Sequence, residues 1–182
     1  AFLAALKKEN CAIISCGTWC LVGTEIDHPI ISEEGFRCNI ANEGGYPGHH
    51  RLLRNVMGTW ILQEVLRQLK EKESDIGYEQ LDSLAETHPC FLFIDVDQKI
   101  FYQPGNMIDK IQDFCMEYYQ KKPESPGEIV SCIYYSLALK YRWCIEKLAS
   151  LTGRNFSVIN IIGGGSNSRL MCQITSNVCG LP

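Results

Sequence analysis

Three consecutive glycines, Gly163 to Gly165, followed by Ser166 and Asn167, separate the β-branched run "FSVINII" from the amphipathic segment "SNSRLMCQITSNVCG". Glycine loses more conformational freedom on ordering than any other residue, so a bare backbone where a strand meets a helix needs a reason. One reason is close packing of helix on strand. The other is a ligand, because free N–H groups and the positive end of a helix favour an anion, and missing side chains let a nucleotide lie against the chain. Two familiar nucleotide motifs are not met. A Walker loop needs Gly-Lys-Ser/Thr after its glycines, where Ser166 and Asn167 stand, and the dinucleotide fingerprint needs a glycine where Ser168 lies.

A second glycine turn lies in "SCGTW", where Gly17 and Thr18 put a small residue and a hydroxyl between two β runs, a pair able to meet phosphate oxygens. Two such turns in one domain suggest a nucleotide lying between them. Candidates for proton transfer are few. Glu43 in "NEGG" and the pair His49-His50 fall beside a Gly-rich stretch, and histidine titrates in a useful range. No nucleophile or orienting carboxylate accompanies them, so they read as loop-shaping or cleft-lining residues. The charged run "KEKESD" reads as a solvated helix end.

The elements that must position these residues follow from periodicity. "CAIISCGTWCLVGTEI" predicts a hairpin turning at Gly17-Thr18. Leu53, Val56, Met57, Trp60, Ile61, Val65 and Leu69 recur at helical spacing and predict a helix from about Leu53 to Lys70. A shorter helix is expected over Tyr78 to Glu86, then a β-like segment from Phe91 to Asp97, then a helix capped by Asn106 and broken at Pro123 and Pro126. The longest helix is expected from Pro126 to Leu151, with Ser125 as its cap and Gly153 just past its end. "FSVINII", the glycine loop and a last helix complete the chain. No repeat or linker divides it, which predicts one α/β domain over residues 1–182.

At 182 residues, 46% of them hydrophobic and 21% charged, the chain is long enough to bury about two-thirds of its unfolded surface. Its formal charge of -4, with Lys and Arg scattered, argues against a nucleic-acid partner. Ten cysteines without a CxxC pair read as buried thiols, with Cys115 and Cys132, on either side of "KKPESPGE", as the two able to meet. No secretory signal and no apolar run of about 18 residues is present, so no membrane partner and a cytoplasmic location are expected. The chain opens with "AFLAALKKEN" rather than Met and stops at "GLP", where an α/β unit would continue to another strand; truncation at both ends is the expectation.

Four blocks, "ISCGTWCLVG", "NEGGYPGHHRLLRNVMGTWILQE", "PGEIVSCIYYSLALKYR" and "INIIGGGSNSRLMCQITSNVCGLP", resemble in order and spacing the C-terminal domain of the FGGY carbohydrate kinases, and within them the rhamnulokinases most. The resemblance covers nearly the whole chain. It implies a ribonuclease-H-like (actin-like ATPase) domain, a mixed sheet flanked by helices, and the second of two domains that close on ATP and a ketose. Carried over by position, it implies contacts from Gly17 and Thr18 to the terminal phosphates, from Gln63 to ATP, and from Gly163, Gly164, Gly165 and Asn167 to adenosine. Asn55 is implied to bind the sugar. Asn55 and Gln63 would share one face of the helix from Leu53. Mg²⁺ is the implied cofactor, and an absent N-terminal kinase domain the implied partner. The family's general base, an aspartate in an "HDTASAV"-like motif, has no counterpart in the chain, so the chain alone is expected to be inactive. The implied reaction moves the γ-phosphoryl group of ATP to O1 of L-rhamnulose. Another ketose kinase, for L-fuculose or xylulose, and a non-catalytic nucleotide-binding module are the alternatives.

Overall fold

Alternating apolar residues form β1 (Cys11–Cys16) and β2 (Trp19–Ile26), an antiparallel hairpin in which Cys16 faces Cys20 across the Gly17-Thr18 turn. The computed structural model describes residues 10–45, 47–71 and 75–182, so half of "KEKESD" and nearly all of "AFLAALKKEN" lie outside the described residues. Three further strands, β3 (Ala41–Gly44), β4 (His50–Met57) and β5 (Val158–Ile162), complete a five-stranded sheet of order β3-β4-β2-β1-β5. The β1–β5 pair is parallel and the others antiparallel, a mixed sheet.

Six helices accompany it among the described residues: α1 (Glu33–Arg37), α2 (Trp60–Lys70), α3 (Tyr78–Thr87), α4 (Met107–Tyr119), α5 (Pro126–Thr152) and α6 (Arg169–Cys179). Helix α5 lies across β2 and β4 and packs against α3 and α6. Its buried residues run from Gly127 to Leu148 and include Tyr134 and Tyr141, so it is the spine of the core. Its start is defined by a capping box: Ser125 Oγ accepts the Glu128 N–H at 3.2 Å, and Glu128 Oε2 accepts the Ser125 N–H at 2.8 Å. Gly153, at φ 67°, ends it in the left-handed conformation that favours glycine. Ser125→Ala is expected to cost about 0.5–2 kcal/mol, read as a lower thermal midpoint.

The chain departs from its periodicity in two places. The helix expected from Leu53 begins at Trp60, and His50–Met57 is a strand paired with β2 along its whole length, from Ile26 opposite His50 to Trp19 opposite Met57. Leu52, Leu53, Val56 and Met57 are all buried, on both faces of a covered strand, and that apolar pattern also fits a helix. Cross-strand pairing decides it, and Gly58 separates strand from helix. Asn55 and Gln63 therefore belong to different elements and share no helical face.

The second departure is Phe91 to Asp97, which forms no strand. Its buried positions Ile94 and Val96 alternate as a strand's would. The backbone partners, however, are side chains of α5: the Cys90 N–H donates to Ser131 Oγ at 2.8 Å and the Ile94 N–H to Ser136 Oγ at 2.9 Å. Asn106 does stand at the N-cap of α4, but its side chain makes no capping bond; Gln68 Oε1 accepts the Ile108 N–H instead, at 3.0 Å. All ten cysteines are free thiols. Cys115 and Cys132 do meet, thiol to thiol, in the core. Among the described residues no helix is long and apolar enough to cross a membrane.

Candidate functional site

The tip of the β1–β2 hairpin is seated on the start of α2. Gly17 O accepts the Thr59 N–H at 2.8 Å and the Thr59 hydroxyl at 2.9 Å, while Thr18 O accepts the N–H groups of Gly58 and Trp60, both at 3.2 Å. The orphan donors of the helix start are thus satisfied by the turn. Gly58 makes this approach possible: a Cβ there would lie under 3.0 Å from Gly17 O, Thr18 O and Cys20 Sγ. Gln63, one turn into α2, donates from Nε2 to Thr18 Oγ1 at 3.3 Å and to Thr59 Oγ1 at 3.2 Å.

The glycine loop leaves β5 and crosses the end of β1. A Cβ on Gly163 would meet Cys16 O at 2.6 Å, and its φ of 90° suits only glycine; a Cβ on Gly165 would meet Cys16 Cβ at 2.9 Å. Gly164 differs, because a Cβ there would meet nothing within 4 Å. Packing against β1 therefore accounts for two glycines and leaves the middle one unexplained by the protein's own contacts. Ser168 caps α6 by accepting the Met171 N–H at 3.0 Å. Beneath both turns the buried thiols of Cys16 and Cys20 lie 3.6 Å apart, and the Tyr141 hydroxyl is 3.0 Å from Cys20 Sγ.

These turns share one cleft of about 740 Å³, whose lining includes Gly17, Thr18, Thr59, Gln63, Gly164, Gly165 and Asn167. Across from them α3 contributes Tyr78 and Asp82, and α5 contributes Tyr134. Among the described residues the N–H groups of Thr18 and Gly164 carry no backbone hydrogen bond, and the Asn167 amide has no partner. No Lys or Arg lines the cleft, so the donors it offers an anion are neutral. A second hollow, of about 690 Å³ along β5 and α6, holds none of the sequence-derived candidates.

Gly163 lies behind the cleft wall, and Asn55 does not line it. Asn55 is exposed on β4, opposite Leu21 of β2. The end of β4 that carries it is held by Asp97, which accepts from Arg54 at 2.8 Å, from the Met57 N–H at 3.2 Å, and pairs with Lys140 at 3.2 Å. Glu43 pairs with Arg51 at 3.2 Å and His49 approaches Asp27 at 3.3 Å; neither they nor His50 reach the cleft.

Burial alone would raise the Asp97 carboxyl, yet Arg54, Lys140 and the Met57 N–H hold it below the ordinary carboxylate value. A lowered folded value contributes stability that is present above the unfolded value, near about 3.9, and lost as pH falls through the folded one. Asp97→Asn is expected to cost about 1.5–3 kcal/mol at neutral pH. Denaturant melts at decreasing pH should show this gap from the unsubstituted protein closing through the acid range.

Sequence reasoning found the two turns and missed Gly58, Thr59, Asp82, Tyr134 and Ser168. A glycine immediately before a helix start was the one available signal for Gly58. Asp82 and Tyr134 meet only through the packing of α3 on α5, 52 residues apart in sequence.

The mixed sheet, its flanking helices and a cleft between hairpin and glycine loop define a ribonuclease-H-like domain of the actin-like ATPase class. Residues 12–182 match the FGGY family of carbohydrate kinases, C-terminal domain, and the chain belongs to that family. It is similar to a rhamnulokinase from Enterococcus faecalis, 46% identical over 173 residues that cover 93% of this chain and 34% of the relative. It is also similar to a rhamnulokinase from Bacteroides thetaiotaomicron, 38% identical over 183 residues, covering 100% of this chain and 37% of the relative. Among solved structures, the xylulose kinase from Rhodospirillum rubrum has the same fold, with a TM-score of 0.70 at 14% identity over 99% of this chain and 35% of that one. The chain spans about a third of the length of the curated relatives it matches.

Proposed function

We propose that this domain forms the ATP side of a ketose kinase that transfers the γ-phosphoryl group of ATP to O1 of L-rhamnulose. The observation that carries the nucleotide half of this reading is the convergence of the Gly17-Thr18 turn and the Gly164–Asn167 turn on one cleft. The sugar half is supported by rhamnulokinase relatives at 34–46% identity along almost all of the chain. The terminal phosphate oxygens accept from the Thr18 N–H and hydroxyl, which Gln63 orients. Adenosine lies along Gly164 and Gly165, with the Asn167 amide as a polar contact, and Asn55 offers its amide to the sugar. Phosphoryl transfer is mainly positioning and charge stabilisation, and these groups position. In this reading the proton acceptor for the sugar hydroxyl comes from outside residues 1–182, and most of the sugar pocket from a partner domain that closes over the cleft.

Mg²⁺ shields the transferred group in such reactions when it is bound. Among the described residues no group of three or more His, Cys, Asp or Glu is placed to hold a metal ion, so this domain does not fit a magnesium cage of its own. Its contribution is through neutral donors to the phosphate oxygens.

The full-length protein containing this chain should phosphorylate L-rhamnulose in preference to L-fuculose and D-xylulose when each is assayed with MgATP by ADP release. Preference for either other ketose overturns the sugar assignment, and failure with all three overturns the kinase reading. Gly164→Ala tests the loop separately. The added methyl meets nothing in the protein, so the melting temperature should stay put while ATP affinity falls at least about tenfold, as for a lost bound-state contact. Unchanged affinity would take the loop out of the site.

A further inference from the structure

Helix α3 contributes to the cleft a group that the phosphate-binding parts leave unused. Tyr78 and Asp82 are one turn apart on the same face of α3, and both line the cleft. One oxygen of Asp82 accepts a hydrogen bond from the Tyr134 hydroxyl. Tyr134 is 1% exposed, and burial followed by the neighbouring Asp82 pushes its phenol far up, so it serves as a fixed donor. That bond orients the carboxylate. Its other oxygen has no hydrogen bond or ion pair among the described residues, and no Lys or Arg lines the cleft to neutralise it.

A half-buried carboxylate in this position is an acceptor waiting for donors, with roughly four lone-pair sites and one of them taken. It repels phosphate, so the triphosphate must lie toward Thr18 and away from α3. The part of a nucleotide that meets Asp82 is then neutral and rich in donors. The Ser168 hydroxyl lies beside Tyr134, which places Asp82 at the glycine-loop end of the cleft, with the half-exposed ring of Tyr78 one turn farther along α3. Between phosphates at one end and an aromatic face for the base at the other comes the sugar.

We propose that Asp82 reads the ribose of the nucleotide, its free oxygen accepting from the vicinal 2′- and 3′-hydroxyls while Tyr134 holds the carboxylate in place. This rests on the nucleotide reading above and extends it to a residue that neither turn contains. Asp82 touches the ligand, and Tyr134 is a positioning residue.

The test is calorimetric titration of the full-length protein with ATP, 2′-deoxy-ATP and 3′-deoxy-ATP, repeated for Asp82→Asn and Tyr134→Phe, with the melting temperature of each variant recorded. The unsubstituted protein should bind ATP about 10- to 150-fold tighter than at least one deoxy analogue, the worth of a hydrogen bond to a charged group. Asp82→Asn should weaken ATP by a similar factor and leave the binding of that analogue nearly unchanged, so that discrimination collapses. Tyr134→Phe should reduce discrimination less, because the carboxylate remains. Equal binding of all three nucleotides by the unsubstituted protein would overturn the proposal while leaving the nucleotide site standing. An equal loss for all three in Asp82→Asn would also overturn it and make Asp82 an anchor of α3. No binding of ATP at all would remove both readings.

Discussion

Gly58→Ala is expected to unseat the β1–β2 hairpin and destabilise the domain by about 3 kcal/mol or more. The added methyl would lie under 3.0 Å from two backbone carbonyls, Gly17 O and Thr18 O, and from the buried Cys20 thiol. A flexible side chain can swing away from such a clash; a carbonyl that is already hydrogen-bonded cannot. Overpacking of this kind costs about 1–3 kcal/mol. Relief by moving the turn would stretch four bonds, from the N–H groups of Gly58, Thr59 and Trp60 and from the Thr59 hydroxyl. Each contributes about 0.5–1.5 kcal/mol net. With a urea slope of about 1–3 kcal/mol per molar, the unfolding midpoint should drop by about 1 M or more.

Gly17→Ala is the control, because a Cβ there comes no nearer than 3.4 Å, to Trp19 O, which is ordinary contact. Its midpoint should barely move. Equal midpoints for Gly58→Ala and the unsubstituted protein would mean that the turn is not held on α2 as described.

The contrast between these glycines explains how much of the site was legible in the sequence. The hairpin, the capped helix α5 and the strand–glycine–helix junction are local features, specified by turn residues and caps, and they form where the sequence puts them. The junction has two readings in sequence, close packing or ligand, and each glycine takes one of them. Gly163 and Gly165 are bare because β1 runs beneath them, whereas Gly164 faces open space in the cleft.

What was not legible depends on contacts distant in sequence. Strand β4 carries apolar residues on both faces, and nothing in "RLLRNVM" distinguishes that from a helical stripe; only the eight-residue pairing with β2 does. Phe91 to Asp97 alternates like a strand because it lies against α5, with serine hydroxyls standing in for a neighbouring strand. Asn55 was expected to share a helical face with Gln63 and stands instead on β4. In the structure the two occupy separate elements joined by Gly58 and Thr59, so a contact of Asn55 with sugar and of Gln63 with nucleotide requires a ligand pair that spans the junction.

Thr18→Val in the full-length protein is expected to lower kcat/KM for ATP by about 10- to 150-fold, the equivalent of about 1.5–3 kcal/mol for a lost hydrogen bond to a charged oxygen. Valine keeps the β-branched shape and removes the hydroxyl. Among the described residues that hydroxyl meets only Gln63, accepting from Nε2 at 3.3 Å and donating to Oε1 at 3.5 Å, at an exposed site. The melting temperature should therefore change little, by the equivalent of about 0.5 kcal/mol. A purely structural threonine predicts the reverse, a lower melting temperature with near-normal turnover in the molecules that remain folded. The split between the constants carries further information. If the hydroxyl holds the phosphate equally in ground and transition states, KM rises with kcat unchanged; if the bond tightens as charge develops on the transferred group, kcat falls. Gln63→Leu separates orientation from contact, because it frees the Thr18 hydroxyl without deleting it. Its loss should be smaller than that of Thr18→Val, and if Gln63 reaches phosphate only through Thr18 the double variant should lose no more than Thr18→Val alone. Additive losses would mean that Gln63 touches the nucleotide by itself, and an undiminished kcat/KM in Thr18→Val would take the Thr18 hydroxyl out of the site.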